Sequence, residues 1–144
     1  MSFPFNVRVY GILFNKKKEL LITEEYRMNT HIIKLPGGGL EFGEGTKECI
    51  IREFKEELDL KVTVNSHFYT TDFFQPSAFN PKQQVISIYY TVSAALDPVL
   101  PEVPRGQAFE GFQRFEWLSL KEIRPDTFTF PIDKKVGEML AHHL

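Results

Sequence analysis

The chain has 144 residues, 42% of them apolar and 25% charged, the composition of an ordinary globular protein of one-domain size. A domain of that length buries roughly 70% of its unfolded surface and needs no disulfide or metal staple to fold. The formal net charge of −2 excludes the basic footprint that duplex DNA or RNA requires, so no nucleic acid polymer is expected as a partner.

Met1-Ser2-Phe3-Pro4-Phe5 lacks the charged-then-apolar pattern of a secretory signal, and no later run approaches the ~18 apolar residues of a membrane span. The expectation is a cytoplasmic protein with no membrane partner. Val7 to Phe14, rich in β-branched and aromatic residues, reads as a strand. Lys16-Lys17-Lys18 is read as a solvated hairpin turn, and Leu20 to Thr23 as a second strand antiparallel to the first. Ile32 to Leu35 is a short apolar run that ends at Pro36-Gly37-Gly38-Gly39. Those glycines predict a loop whose backbone bends sharply or lies close to something.

Thr46 to Leu58 is the clearest helix, with Thr46 as its expected N-cap and Glu48 in the first turn. Ile50, Phe54 and Leu58, with Ile51 beside them, form the predicted inward stripe. Cys49, the one cysteine, excludes an internal disulfide and a Cys-rich zinc site and fits a reducing compartment. Lys61 to Phe74 and Gln83 to Ser93 read as β-rich runs joined by a loop at Gln75 to Lys82. Ala95 to Gly111 is a long irregular connection, and Phe112 to Trp117 is a strand. Ser119-Leu120-Lys121-Glu122 has the pattern of a capping box, and Pro131 to His142 reads as a terminal helix with Val136, Met139 and Leu140 inward. No repeat or linker divides the chain, so a single domain over 1–144 is expected. Its class is α/β (α+β), with a mixed β-sheet sandwiched between helices.

The chemistry concentrates on the first helix. Glu53, Glu56 and Glu57 project to one side, where like charges repel by about 0.2–0.5 kcal/mol per pair. They also sit toward the negative end of the helix dipole, at a cost of about 0.3–1 kcal/mol each. A Glu-rich helix face is usually just solvated. Three carboxylates so placed also suit a hard cation such as Mg²⁺ or Mn²⁺.

What separates the two readings is the fixed spacing from the glycine run. Gly38, five residues, Glu44, seven residues, Arg52-Glu53-Phe54, Lys55, Glu56-Glu57, Leu58, Asp59 and Leu60 follow in order. This resembles the Nudix box, G-x5-E-x7-R-E-U-x-E-E-x-G-U with U apolar, at every fixed position but one. The departure is Asp59, where the family has Gly. A left-handed backbone is often needed just past a helix, and Asp tolerates it better than most residues.

The resemblance implies a Nudix fold and a Mg²⁺-dependent hydrolase, with Mn²⁺ as an alternative ion. Its substrate would be a small nucleotide or other diphosphate compound: a nucleotide sugar, an ADP-ribose-like molecule or a nucleoside triphosphate. By position it implies Glu53, Glu56 and Glu57 as metal ligands, with a backbone carbonyl of Gly37-Gly38 in support. Arg52 would pair with Glu44 to fix the loop against the helix. Glu53, Glu57 and an acidic residue from a later loop are the implied catalytic groups. Glu110, just before the last strand, is the first choice for that later residue and Glu116 the second. Pro76, sixteen positions past Leu60, looks like a marker of ADP-ribose hydrolases in this family. Phe73, Phe74, Phe79 and Tyr69 lie near it and are candidates for stacking on a base, against the plainer reading as core. Most of the 14 phenylalanines are expected in the core.

Two other functions compete. One is a Nudix-fold sensing module that binds without cutting, against which all box carboxylates are present. The other is the isopentenyl diphosphate isomerase branch, which would need Cys49 placed at a carbon chain. The glycine run is not followed by Lys-Ser/Thr, which excludes a P-loop. Oligomeric state is not written in the sequence, and a homodimer stays open.

Overall fold

The structure is a computed structural model, and it describes residues 4–142. The reading of Met1-Ser2-Phe3 as free of a leader therefore lies outside the described residues. The elements in chain order are β1 (Phe5–Leu13), β2 (Glu19–Arg27), β3 (Thr30–Lys34), β4 (Gly37–Gly39), α1 (Thr46–Leu58), β5 (Thr63–Thr70), β6 (Gln84–Ser93), β7 (Phe112–Ser119), a 3₁₀ turn at Leu120–Glu122, and α2 (Pro131–Ala141). The fold is mixed α+β, with the strands divided between two sheets. Its contacts fall into two compact units interleaved along the sequence, one holding residues up to Leu13 with Pro36–Leu96, the other Phe14–Leu35 with Asp97 onward.

The first unit contains the sheet β4-β1-β6-β5 and helix α1. β1 runs parallel to β6 and antiparallel to β4, and β5 pairs antiparallel with β6. The glycine run is thus a short edge strand and not the predicted loop, with Val9 opposite Gly38 and Tyr10 opposite Gly37. Gly37 has φ +150°, and a Cβ there would sit 2.1 Å from the Val9 carbonyl oxygen, so only glycine can pair this closely. Helix α1 has the predicted bounds, but its N-cap is Gly45, whose N–H donates to Glu48 Oε1 at 3.0 Å. Thr46 is inside the helix and its hydroxyl meets the Tyr90 hydroxyl at 2.6 Å. The buried stripe is Cys49, Ile50 and Phe54, while Ile51 is exposed. Cys49 takes the place expected for Ile51 because the helix turns that side toward the Gly39 carbonyl, 3.6 Å from Sγ. The opposite side of the sheet carries a tyrosine stack, Tyr10 on Tyr89 at 5.2 Å and Tyr89 beside Tyr69 at 6.3 Å.

The second unit contains the antiparallel sheet β3-β2-β7, the 3₁₀ turn and α2. The lysine turn is present: Asn15 Oδ1 accepts from the N–H groups of Lys17 and Glu19, and Phe14 bridges Leu20. Among the described residues, that bridge and the Asn15 N to Glu19 O bond are what remains of the expected pairing of the first two strands. β1 and β2 join different sheets, because β2 finds eight partners along β7, from Glu19↔Ser119 to Tyr26↔Phe112. Ser119 caps the 3₁₀ turn, its hydroxyl accepting from Lys121 N; this is the cap without the reciprocal Glu122 bond that the expected box would add. In α2 the buried residues are Ile132, Asp133, Val136, Gly137 and Leu140, whereas Met139 is only half-buried.

Gly11 leaves no room for a side chain between β1 and α1. A Cβ there would lie 2.4 Å from a Phe54 ring carbon and 3.2 Å from Ile50. Gly11→Ala is expected to cost about 1–3 kcal/mol by overpacking, read as a lower urea midpoint at unchanged slope. An unchanged midpoint would show that α1 can lift from β1 freely.

Candidate active site

Arg52 organises the face of α1 that looks onto the glycine strand. Its Nε and Nη2 donate to the two oxygens of Glu44, at 2.9 and 2.7 Å, a fork-to-fork pair. Nη2 also donates to the Gly39 carbonyl at 3.1 Å. Nη1 donates to Glu53 Oε1 at 3.0 Å and to Glu56 Oε2 at 3.2 Å, and lies 3.6 Å from Glu41 Oε1. One cation thus holds the loop, the edge strand and two of the helix carboxylates. Glu44 also accepts from its own loop, at Glu41 N.

The electrostatic consequences follow from these contacts. The Arg52 guanidinium, then the Glu41 amide, pull the Glu44 carboxyl from 4.5 down to about 2. Hydrogen bonding to Glu44 holds Arg52 above the ordinary arginine range. Burial, reinforced by Glu44, pushes the Cys49 thiol up to about 12. That thiol is fully buried and stays protonated, which makes it a poor acid–base group for the isomerase alternative.

Glu53 sits against the glycine strand. A Cβ on Gly38 would fall 2.6 Å from Glu53 Oε1, so the carboxylate occupies space that any other residue at 38 would fill. Glu53 is largely covered, with a side chain 13% exposed, whereas Glu56 is 58% exposed. Glu57 is half-buried on the same helix. Among the described residues no three acidic, His or Cys groups converge as a formed metal cage. Glu53 and Glu56 instead share one Arg52 nitrogen. The donor set, carboxylates beside a glycine backbone, nevertheless has the chemistry of a hard divalent ion. At the end of α1, Asp59 adopts φ 50° and ψ 39°, the left-handed cap anticipated where the box has Gly. Lys55 hydrogen-bonds the Asp59 carboxylate and lowers its pKa.

The residues proposed for substrate divide in two. Tyr69 is core, and its hydroxyl donates to Asp72 Oδ1 at 2.6 Å. Phe73, Phe74 and Phe79 are exposed around a loop closed by the Pro76–Gln84 bridge and by Val85 N to Gln75 O. Glu110 belongs to the second unit, where both its oxygens accept from Met28 N, at 2.9 and 3.2 Å. This clamps the β2–β3 turn, whose residues Met28 and Asn29 have positive φ. Glu116 is engaged by Arg105 and Arg114, at 2.7 and 3.1 Å. Reading the sequence missed Gly39 and Glu41 as partners of Arg52. Their only signal was their place between Gly38 and Glu44.

A NUDIX domain model matches residues 4–139, and the chain belongs to the Nudix family. It is a pyrophosphohydrolase by class, and enzymes of this family generally use divalent metal ions and small nucleotide substrates. The ADP-ribose pyrophosphatase of Methanocaldococcus jannaschii is 30% identical over 120 residues, 83% of this chain and 67% of that protein. The MutT protein of Methanosarcina mazei has the same fold, with a TM-score of 0.69 at 22% identity, covering 99% of this chain and 97% of its own. A Nudix hydrolase of Nitrosomonas europaea gives 0.69 at 19% identity, over 97% and 89%. Among the described residues no helix is long and apolar enough to cross a membrane.

The depressed Glu44 carboxyl has a signed consequence. Its stabilising effect is complete above the unfolded value of 4.5 and is lost as pH falls toward about 2. In metal-free buffer, wild type should therefore melt above Glu44→Gln at neutral pH. The gap should narrow progressively through that acid window. A gap that stays constant down to the lower value would mean the pairing with Arg52 does not depress Glu44.

Proposed function

We propose that the chain is a Mg²⁺-dependent hydrolase, with Mn²⁺ as a substitute. It would cut the diphosphate of a nucleoside diphosphate joined to another group, with ADP-ribose the first substrate to test. The observation that carries this reading is the seating of the Glu53 carboxylate in the space left by Gly38, with Glu56 drawn beside it by Arg52. ADP-ribose is favoured by the name of the archaeal relative and by Pro76 within a loop bearing exposed phenylalanines.

Glu53, Glu56 and Glu57 would hold the ion, with a carbonyl of Gly37 or Gly38 in support. The chemistry such an ion would supply is neutralisation of diphosphate charge and a lowered pKa for the attacking water. Arg52 and Glu44 keep the glycine strand at a set distance from the helix. Phe73, Phe74, Pro76 and Phe79 would receive the base or ribose end. The water's proton would pass to Glu53, Glu57 or Glu110. As base, Glu110 would have to release Met28 N, so the box glutamates are the simpler acceptors. The products are a nucleoside monophosphate and a phosphorylated fragment.

A panel of ADP-ribose, a UDP-sugar, a dinucleoside polyphosphate and a nucleoside triphosphate, each with Mg²⁺ and with Mn²⁺, tests the reading. ADP-ribose should yield AMP and ribose 5-phosphate most efficiently, and no cleavage of any diphosphate with either ion would overturn the proposal. Glu57→Gln should fold normally and lose about 10²-fold or more in kcat, roughly 3 kcal/mol of barrier. Near-normal turnover would remove Glu57 from the metal set. Glu110→Gln keeps an oxygen for Met28 N, so a comparable loss of kcat in that variant would identify Glu110 as the base.

A further inference from the structure

The connection from β6 to β7 meets the second sheet in two pieces that are held in different ways. Residues 103–106 are pinned by side chains of the sheet itself. Arg114 Nε donates to the Val103 carbonyl at 2.9 Å, and both oxygens of Glu24 accept from Gly106 N, at 3.2 and 3.3 Å. Glu24 and Arg114 are opposite each other in the β2–β7 register and both are largely covered. Arg105 adds a bond to Glu116 at 2.7 Å.

Gln107-Ala108-Phe109-Glu110 lies between two glycines of positive φ, Gly106 at +72° and Gly111 at +89°. A Cβ at either would meet nothing within 4 Å, so it is the backbone conformation and not space that calls for glycine. Both glycines are anchored, Gly106 N to Glu24 and Gly111 N to the Tyr26 carbonyl at 3.2 Å. Every residue from 106 to 111 is exposed. Phe109 makes an edge contact with Phe112 at 5.6 Å and its carbonyl accepts from Phe112 N, yet its side stays open to solvent. Glu110 ties the segment to the β2–β3 hairpin through Met28 N. Met28 and Asn29 are the left-handed central residues of that turn, between the paired Arg27 and Thr30. The bond is exposed, and water can replace the carboxylate there at small net cost.

We propose that residues 107–110 are a flap that swings on Gly106 and Gly111 and is latched shut by Glu110 on Met28 N. Opening carries the Glu110 carboxylate and the Phe109 ring away together, while residues 103–106 stay on the sheet. Release of Glu110, which any role as base requires, is then a movement of the flap and not the turn of one side chain. The device does not depend on the hydrolase reading, and a chain that cleaves no diphosphate would leave it standing. NMR relaxation and amide exchange on the full chain test it. Glu110→Ala should lower the backbone order parameters of 107–110 from about 0.85 to below about 0.6. The same variant should speed exchange of the Met28 amide about tenfold, as expected for losing a charged hydrogen bond. Glu110→Gln, which keeps a neutral acceptor, should fall between. The Gly106 and Gly111 amides should keep wild-type exchange throughout. Unchanged order at 107–110 in Glu110→Ala overturns the flap, and unchanged Met28 exchange overturns the latch. Loss of Gly106 and Gly111 protection together with Met28 also overturns the proposal, because the whole connection would then open as one.

Discussion

The Arg52 guanidinium is the constraint on which the first unit's chemistry depends. It fastens the loop through Glu44, the edge strand through the Gly39 carbonyl, and the helix face through Glu53 and Glu56. Like-charged glutamates at helical spacing repel, and toward a helix C-terminus the dipole opposes them too. A single cation placed among them offsets both costs while leaving them gathered. A fork with five donors can satisfy several carboxylates in fixed directions, which the point charge of a lysine could not.

The second requirement is space. β4 has no side chains, and each missing Cβ is used differently: Gly37 allows the backbone to pair with β1, and Gly38 admits a carboxylate. The depressed Glu44 and the raised Cys49 belong to one arrangement: the half-buried Arg52–Glu44 pair lowers the first, while burial, then Glu44, raises the second. Cys49 is small enough to let Arg52 pass, its sulfur 3.7 Å from Nη2. Asp59 stops the helix with a left-handed residue, and Leu60 N bonds back to Phe54 O, so the missing box glycine leaves the helix end intact.

The second unit shows how acidic residues chosen by position alone acquire local duties. Glu110 clamps a turn with positive φ, and Glu116 lies between two arginines. Both roles follow from β7 pairing along the whole length of β2, which brings the start of β7 to the β2–β3 turn.

What the sequence determined by itself was local. The bounds of α1, the capping turn at Ser119, the irregular stretch before β7, the box spacing and the left-handed Asp59 are all set within a few residues, where propensity and periodicity act. The tertiary structure decided what needed distant partners. It made the glycine run a strand by giving it β1 and separated β1 from β2 by giving β2 the length of β7. It turned Cys49 inward in place of Ile51, and it sent Tyr69 into the core while Phe73, Phe74 and Phe79 remained exposed. Strand pairing and burial are long-range choices, and no window of sequence contains both partners.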